Sequence, residues 1–122
     1  MPYLQNKGFD KYLTQEDNIQ IALIRWITYQ YPKAVVLHIH NEGKRSRFEV
    51  WKAKKMGMQK GASDLLIFFN GKSIAIELKS DKGKVKPEQI VWQTRFKESG
   101  HAAFICRGFD EAKQVIEMSF KS

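Results

Sequence analysis

Two apolar runs, Leu65-Leu66-Ile67-Phe68-Phe69 and Ile74-Ala75-Ile76, stand on either side of an Asn70-Gly71 pair. Asn-Gly in that setting favours a two-residue hairpin loop, because both loop positions need positive φ and these residues tolerate it best. Such a loop pairs Phe69 with Lys72, Leu65 with Ile76 and, one step further, Asp64 with Glu77. Directly opposed residues bring their Cβ atoms to about 5 Å on one face. Lys79, two residues past Glu77, shares that face. Two carboxylates and a lysine therefore converge at the open end of the hairpin. Like charges opposed across a ladder destabilise a sheet, and a divalent cation between them reverses the penalty. A bend one residue longer would send the two acids to opposite faces.

The flanking sequence supplies helices. Thr14 predicts an N-cap for a helix over 15–31, in which Ile19, Leu23, Trp26 and Ile27 form a core-facing stripe, and Pro32 ends it. Residues 34–40 are a β-branched run that reads as a strand, followed by a polar loop at 41–45. Ser46 and Glu49 fit a capping box, which predicts a second helix to Met56 with Gly57 as its C′ residue. The hairpin strands fall at about 64–69 and 73–79, nearly all apolar, as suits strands covered on both faces. Pro87 suits the first turn of a third helix over 87–99, ended by Gly100. Residues 101–107 form another strand, and Asp110 is expected to cap a last helix reaching Phe120. The order is αβαββαβα, and the strand–helix–strand passage around 87–99 favours a parallel crossover. An α/β fold with a mixed four-stranded sheet and helices on both faces follows. Residues 1–13 read as an arm and 14–122 as a single domain.

The 122 residues suit one hydrophobic core. No apolar run reaches the roughly 18 residues that span a bilayer, and the polar first fourteen residues carry no signal-peptide core, so the cytoplasm is the expected compartment and no membrane partner is expected. One cysteine, Cys106, excludes an intramolecular disulfide; it lies in an apolar strand and reads as a buried thiol rather than a nucleophile. Lys and Arg number 21 against 13 Asp and Glu, a net charge of +8 that points to a polyanion. The basic residues cluster on both sides of the hairpin: Lys44, Arg45, Arg47, Lys52, Lys54, Lys55 and Lys60 before it, Lys82, Lys84 and Lys86 after it. A phosphate backbone laid across that side would meet them. A merely soluble basic protein is the plain alternative.

Asp64, Glu77 and the Leu78 carbonyl are hard oxygen donors of the kind Mg²⁺ or Mn²⁺ takes. A cation there would activate a water and polarise a phosphate, with Lys79 orienting the water or neutralising charge. The competing reading is a surface salt bridge between Glu77 and Lys79, which contributes little; the apolar run leading to Glu77 speaks against it, since a carboxylate at the end of a buried strand needs a partner or a metal. Glu16, in the first turn of the first helix, borders its core-facing side and is a candidate further ligand, or simply an acid favoured at a helix N-terminus. Gln89 opens the third helix one turn before Trp92 and Phe96, which read as core. It is placed to hydrogen-bond a site carboxylate or DNA, or to face solvent. His38 and His40 alternate along one strand, but no third ligand completes a zinc pattern. No phosphate-binding or dinucleotide loop is present.

Gly61-Ala62-Ser63-Asp64-Leu65, Glu77-Leu78-Lys79, and Gln89 with Trp92 resemble the VRR-NUC branch of the PD-(D/E)XK nucleases, over roughly Glu16 to Ile116. Ser63 departs from the pattern, which often has proline there. The resemblance implies a restriction-endonuclease-like core and a metal-dependent phosphodiesterase. In it Asp64 and Glu77 are metal ligands, Lys79 is the catalytic lysine, Glu16 is the acid of the first helix and Gln89 is the helix glutamine. Stand-alone members of this size resemble viral or bacterial resolvases, which act as homodimers on branched DNA, so a four-way junction is the leading substrate. A non-catalytic nucleic-acid-binding module on the same fold and an RNA-directed nuclease are the rival readings.

Overall fold

The hairpin closes as its bend requires. Asn70 and Gly71 take φ of 53° and 75°, and the computed structural model, which describes residues 7–40 and 46–121, pairs Phe69 with Lys72 and Leu65 with Ile76. Strand β1 (Val35–His38) runs antiparallel to β2 (Leu65–Phe69), which runs antiparallel to β3 (Lys72–Lys79), and β4 (Ala102–Arg107) lies parallel to β3, in the order β1-β2-β3-β4. The mixed four-stranded sheet is the expected one. β1 is shorter than its apolar run because β2 begins at Leu65, opposite His38; past that point only the Ile39 amide continues, donating to the Asp64 carbonyl at 2.8 Å.

The helices are α1 (Lys7–Asp10), α2 (Gln15–Gln30), α3 (Arg47–Lys55), α4 (Pro87–Glu98) and α5 (Phe109–Phe120). Thr14 and Asp17 cap α2 reciprocally, as do Ser46 and Glu49 for α3. Pro87 sits at the start of α4, where its missing N–H costs nothing. One expectation gains detail and one changes. A short helix, α1, lies within the segment read as an arm. Asp110 does not cap α5: Gly108 does, at φ 97°, and Asp110 falls in the first turn. Strand β4 ends where Gly108 turns the chain, and Glu111 reaches back to accept from the Arg107 amide at 3.0 Å. The 41–45 loop lies outside the described residues.

Alternation along the strands divides the core. Leu65, Ile67, Ile74, Ile76, Leu78 and Cys106 face α2 and α5, where Leu23, Ile27, Ile116 and Phe120 complete the main cluster. Leu66, Ala75 and Ala103 face the other way, against Trp92 and Phe96 of α4. The second face is thinner, and its polar remainder includes Glu77 and Lys79. One close approach sets α4 against the hairpin: a Cβ on Gly61, itself at φ +86°, would stand 2.2 Å from the Glu88 carbonyl oxygen.

Gly61→Ala is therefore expected to cost on the order of 2 kcal/mol or more, from strain and displacement of α4 together. Gly100→Ala, at φ +97° with open space around it, is expected to cost about 1 kcal/mol. Urea unfolding of the two variants checks the difference.

Candidate active site

The acids meet at the open end of the hairpin. Asp64 precedes β2, and its Oδ2 accepts from the Leu78 amide at 2.8 Å. A strand residue turns its N–H and C=O to the same edge, so the Leu78 carbonyl also faces the Asp64 side. Glu77 is buried, and its Oε2 accepts from Gln89 Nε2 at 3.1 Å and lies 3.6 Å from Lys79 Nζ. Lys79 is the one buried cation among the described residues. The pair is thus interior rather than a surface salt bridge. The Gln89 amide is itself oriented, its Oε1 accepting from the Lys86 amide at 2.9 Å.

The Glu77 carboxyl is raised to about 8, chiefly by burial and next by the charge of Asp64, with Lys79 opposing both. Two acids opposed in a partly dry site are a place where positive charge is wanted. Two cavities meet at Asp64. One of about 150 Å³ is lined by Asp64, Glu77, Gln89, Lys60 and Lys86. The other, of about 410 Å³, is lined by Asp64, Leu78, Glu16, Gln20, His38 and His40. Glu16 therefore stands across the second cavity, and among the described residues no third acid, histidine or cysteine closes with Asp64 and Glu77 into a three-ligand cluster. The His38 and His40 rings lie 5.6 Å apart, with Gln20 Nε2 3.0 Å from His38 Nδ1.

Among the basic residues, Lys60 and Lys86 line the first cavity, and Lys60 approaches Glu88 at 3.9 Å. Lys82 and Lys84 are exposed on the loop 80–86, and Arg47 is exposed on α3. Lys44 and Arg45 lie outside the described residues. Cys106 is buried, its thiol pushed up to about 12 by burial and by Glu111, and it faces away from the acids.

Three supports escaped the sequence. Gln93 Nε2 donates to Ser63 Oγ at 3.1 Å and to the Phe104 carbonyl at 2.7 Å, fixing the residue just before Asp64. Arg107 Nη1 donates to the Ser80 and Gly83 carbonyls at 2.9 and 2.7 Å, tying down the loop after Lys79. Trp92 Nε1 donates to Gln59 Oε1 at 2.8 Å. Each joins residues more than 20 positions apart, except the Gln93–Phe104 bond, so no local signal in the sequence marks them.

The VRR-NUC domain family model matches residues 13–110. The chain belongs to the VRR-NUC family. VRR-NUC is a nuclease family, so a nucleic acid is the substrate class it suggests. A solved VRR_NUC domain protein is similar in fold, with a TM-score of 0.70 and 22% identity over 88% of this chain and 89% of that one. A solved VRR_NUC domain aligns with a TM-score of 0.62 and 22% identity, over 88% of this chain and all of that one. No curated protein matches the sequence. Among the described residues of this VRR-NUC chain, no helix is long and apolar enough to cross a membrane.

Between the unfolded value of 4.5 and the folded value of about 8, the native state holds a proton at Glu77 that the unfolded chain has released. The unfolded state binds fewer protons there, so stability falls as pH rises through that window. In EDTA, the thermal midpoint is expected to decline from pH 5 toward pH 8, and Glu77→Gln is expected to flatten the decline. Thermal melts across that pH series check this.

Proposed function

We propose that this VRR-NUC domain is a Mg²⁺- or Mn²⁺-dependent DNA endonuclease of the PD-(D/E)XK type. The observation that carries the reading is the opposition of Asp64 and Glu77 beside buried Lys79, with Glu77 held protonated near neutrality by burial and by its acidic neighbour. The donor set fits a hard cation: two carboxylates and the Leu78 carbonyl on the same side, with room in the adjoining cavities for water and phosphate oxygens. When bound, the cation neutralises the acid pair and polarises a phosphoryl oxygen.

The remaining work falls to the chain. Lys60 and Lys86 hold the phosphodiester over the first cavity. A water gives a proton to solvent as its oxygen bonds to phosphorus in line with the leaving ester oxygen, whose P–O bond breaks and which takes up a proton from solvent. The Lys79 ammonium donates to the phosphoryl oxygen on which charge accumulates. Gln89 keeps Glu77 oriented toward Asp64. Glu16, across the second cavity, is placed to hold the attacking water or to join the metal ligands. Lys82 and Lys84, with Arg47, Lys44 and Arg45, steer the backbone, so affinity falls steeply with salt. By resemblance, the substrate is branched DNA, a four-way junction first, cut by a homodimer with two sites.

Asp64→Ala and Glu77→Ala are expected to abolish cleavage, by at least 10³-fold on the scale of a lost electrostatic stabiliser, while DNA binding in EDTA persists. Millimolar Mg²⁺ or Mn²⁺ is expected to raise the thermal midpoint of the parent protein but not of either variant. Lys79→Ala should lower turnover more than metal affinity. A cleavage panel of single-stranded, duplex, flap and four-way DNA with both metals, alongside calorimetry, tests all of this; full activity in Asp64→Ala or Glu77→Ala would remove the site.

A further inference from the structure

Helix α3 is nine residues long and buries none of them. Isolated helices shorter than about 12 residues are marginal in water, yet both ends of this one are finished. Ser46 and Glu49 cap its start. At its end the Gly57 amide donates to the Lys54 carbonyl and the Met58 amide to the Ala53 carbonyl, with Gly57 at φ 103°. The helix is thus built and held, but not for the core.

What it presents is specific. Phe48, Trp51, Lys52 and Lys55 fall at i, i+3, i+4 and i+7, one face of the helix. Phe48 is 64% exposed and Trp51 57%. Their rings lie 6.0 Å apart at 31°, and Lys55 Nζ stands 6.0 Å from the Trp51 ring. The helix carries Arg47, Lys52, Lys54 and Lys55 against the single acid Glu49, which caps it. One tight turn beyond the helix, Met58, Lys60 and Gly61 form a wall of the cavity that holds Asp64 and Glu77.

We infer that α3 is a docking helix for unpaired bases of a polynucleotide, with Phe48 and Trp51 as the stacking platform and its lysines on the flanking phosphates. Flat rings set among cations suit nucleic acid, whose bases offer π-faces and whose backbone offers charge. Bases inside a duplex hide their faces, so the platform selects gaps, flaps and branch points over continuous duplex. A second copy of the chain is a poorer occupant, because a two-fold contact would set this basic patch against itself. An anionic membrane answers the charge but not the position beside the acids. The inference rests on the nuclease reading for its substrate, and deepens it by naming the feature that is bound.

The test is fluorescence anisotropy of the full chain in EDTA, with labelled DNA and RNA probes: a fully paired duplex, and the same duplex carrying a single-stranded gap. Phe48→Ala and Trp51→Ala are each expected to weaken the gapped probes about tenfold and the paired ones much less. Trp51→Phe restores most of the affinity. Neither side chain is buried, so thermal midpoints should hold; Lys52→Glu with Lys55→Glu probes the same face without touching the rings and should also lower the salt slope. Equal losses on paired and gapped probes, or none, overturn the inference. So does a result in which the ring variants lose only self-association in sedimentation, or only binding to phosphatidylserine vesicles. If the parent protein binds through α3 yet cleaves neither these probes nor a four-way junction with Mg²⁺ or Mn²⁺, the nuclease reading fails and the docking surface stands. If it cleaves and the ring variants bind gapped probes unchanged, the reverse holds.

Discussion

The hydrogen bond from the Leu78 amide to the Asp64 carboxylate, 2.8 Å long, closes the hairpin where its ladder has run out. Everything at the site depends on it. The Asn70-Gly71 bend sets the register, the register brings Asp64 level with Glu77, and the amide holds it there. The result is electrostatically unfavourable. Glu77 is buried beside a second acid, and Lys79 does not offset the loss of water around it. The arrangement persists because the opposite face of the sheet, packed against α2 and α5, supplies the hydrophobic stabilisation that this face lacks.

The polar residues of the interior are segregated accordingly. Ser63, Glu77, Lys79, Gln89 and Gln93 are the buried polar or charged side chains among the described residues. All belong to α4 or to the network that meets it. No buried side-chain nitrogen or oxygen among the described residues lacks a partner. Buried polar groups hold a unique geometry only when fully satisfied, which is the condition for placing two carboxylates and an ammonium within reach of one another.

The parts of this design written locally were legible in the sequence. Caps at Thr14 and Ser46, the two-residue bend, Pro87 at the start of α4 and the alternation along β3 are short-range rules, and each appears in the structure. The acid pair with Lys79 followed from the bend by counting. Where a local signal had a rival, it failed: Asp110 resembles a cap, but Gly108 reaches the left-handed turn first. Gln93 to Ser63 and Arg107 to the Ser80 and Gly83 carbonyls escaped because their partners are distant in the chain and meet only after the crossover is made. The exposure of α3 escaped for a related reason. Phe48 and Trp51 have the composition of core residues, and only the packed fold leaves them outside.

Helix α4 bonds to Glu77 and to the residue before Asp64 from successive turns. Gln89 grips Glu77 on β3, and Gln93 grips Ser63, the residue before Asp64. The helix works as a crossbeam bolted to Glu77 and to the neighbour of Asp64, and Gly61 lets it sit with backbone against backbone at its near end. A tilt of that beam would shift Glu77 and Ser63 by different amounts and so change the gap between the two acids. The spacing of the two glutamines, one helical turn, is therefore a ruler for the distance between the two acids, laid down on a different element from the acids themselves.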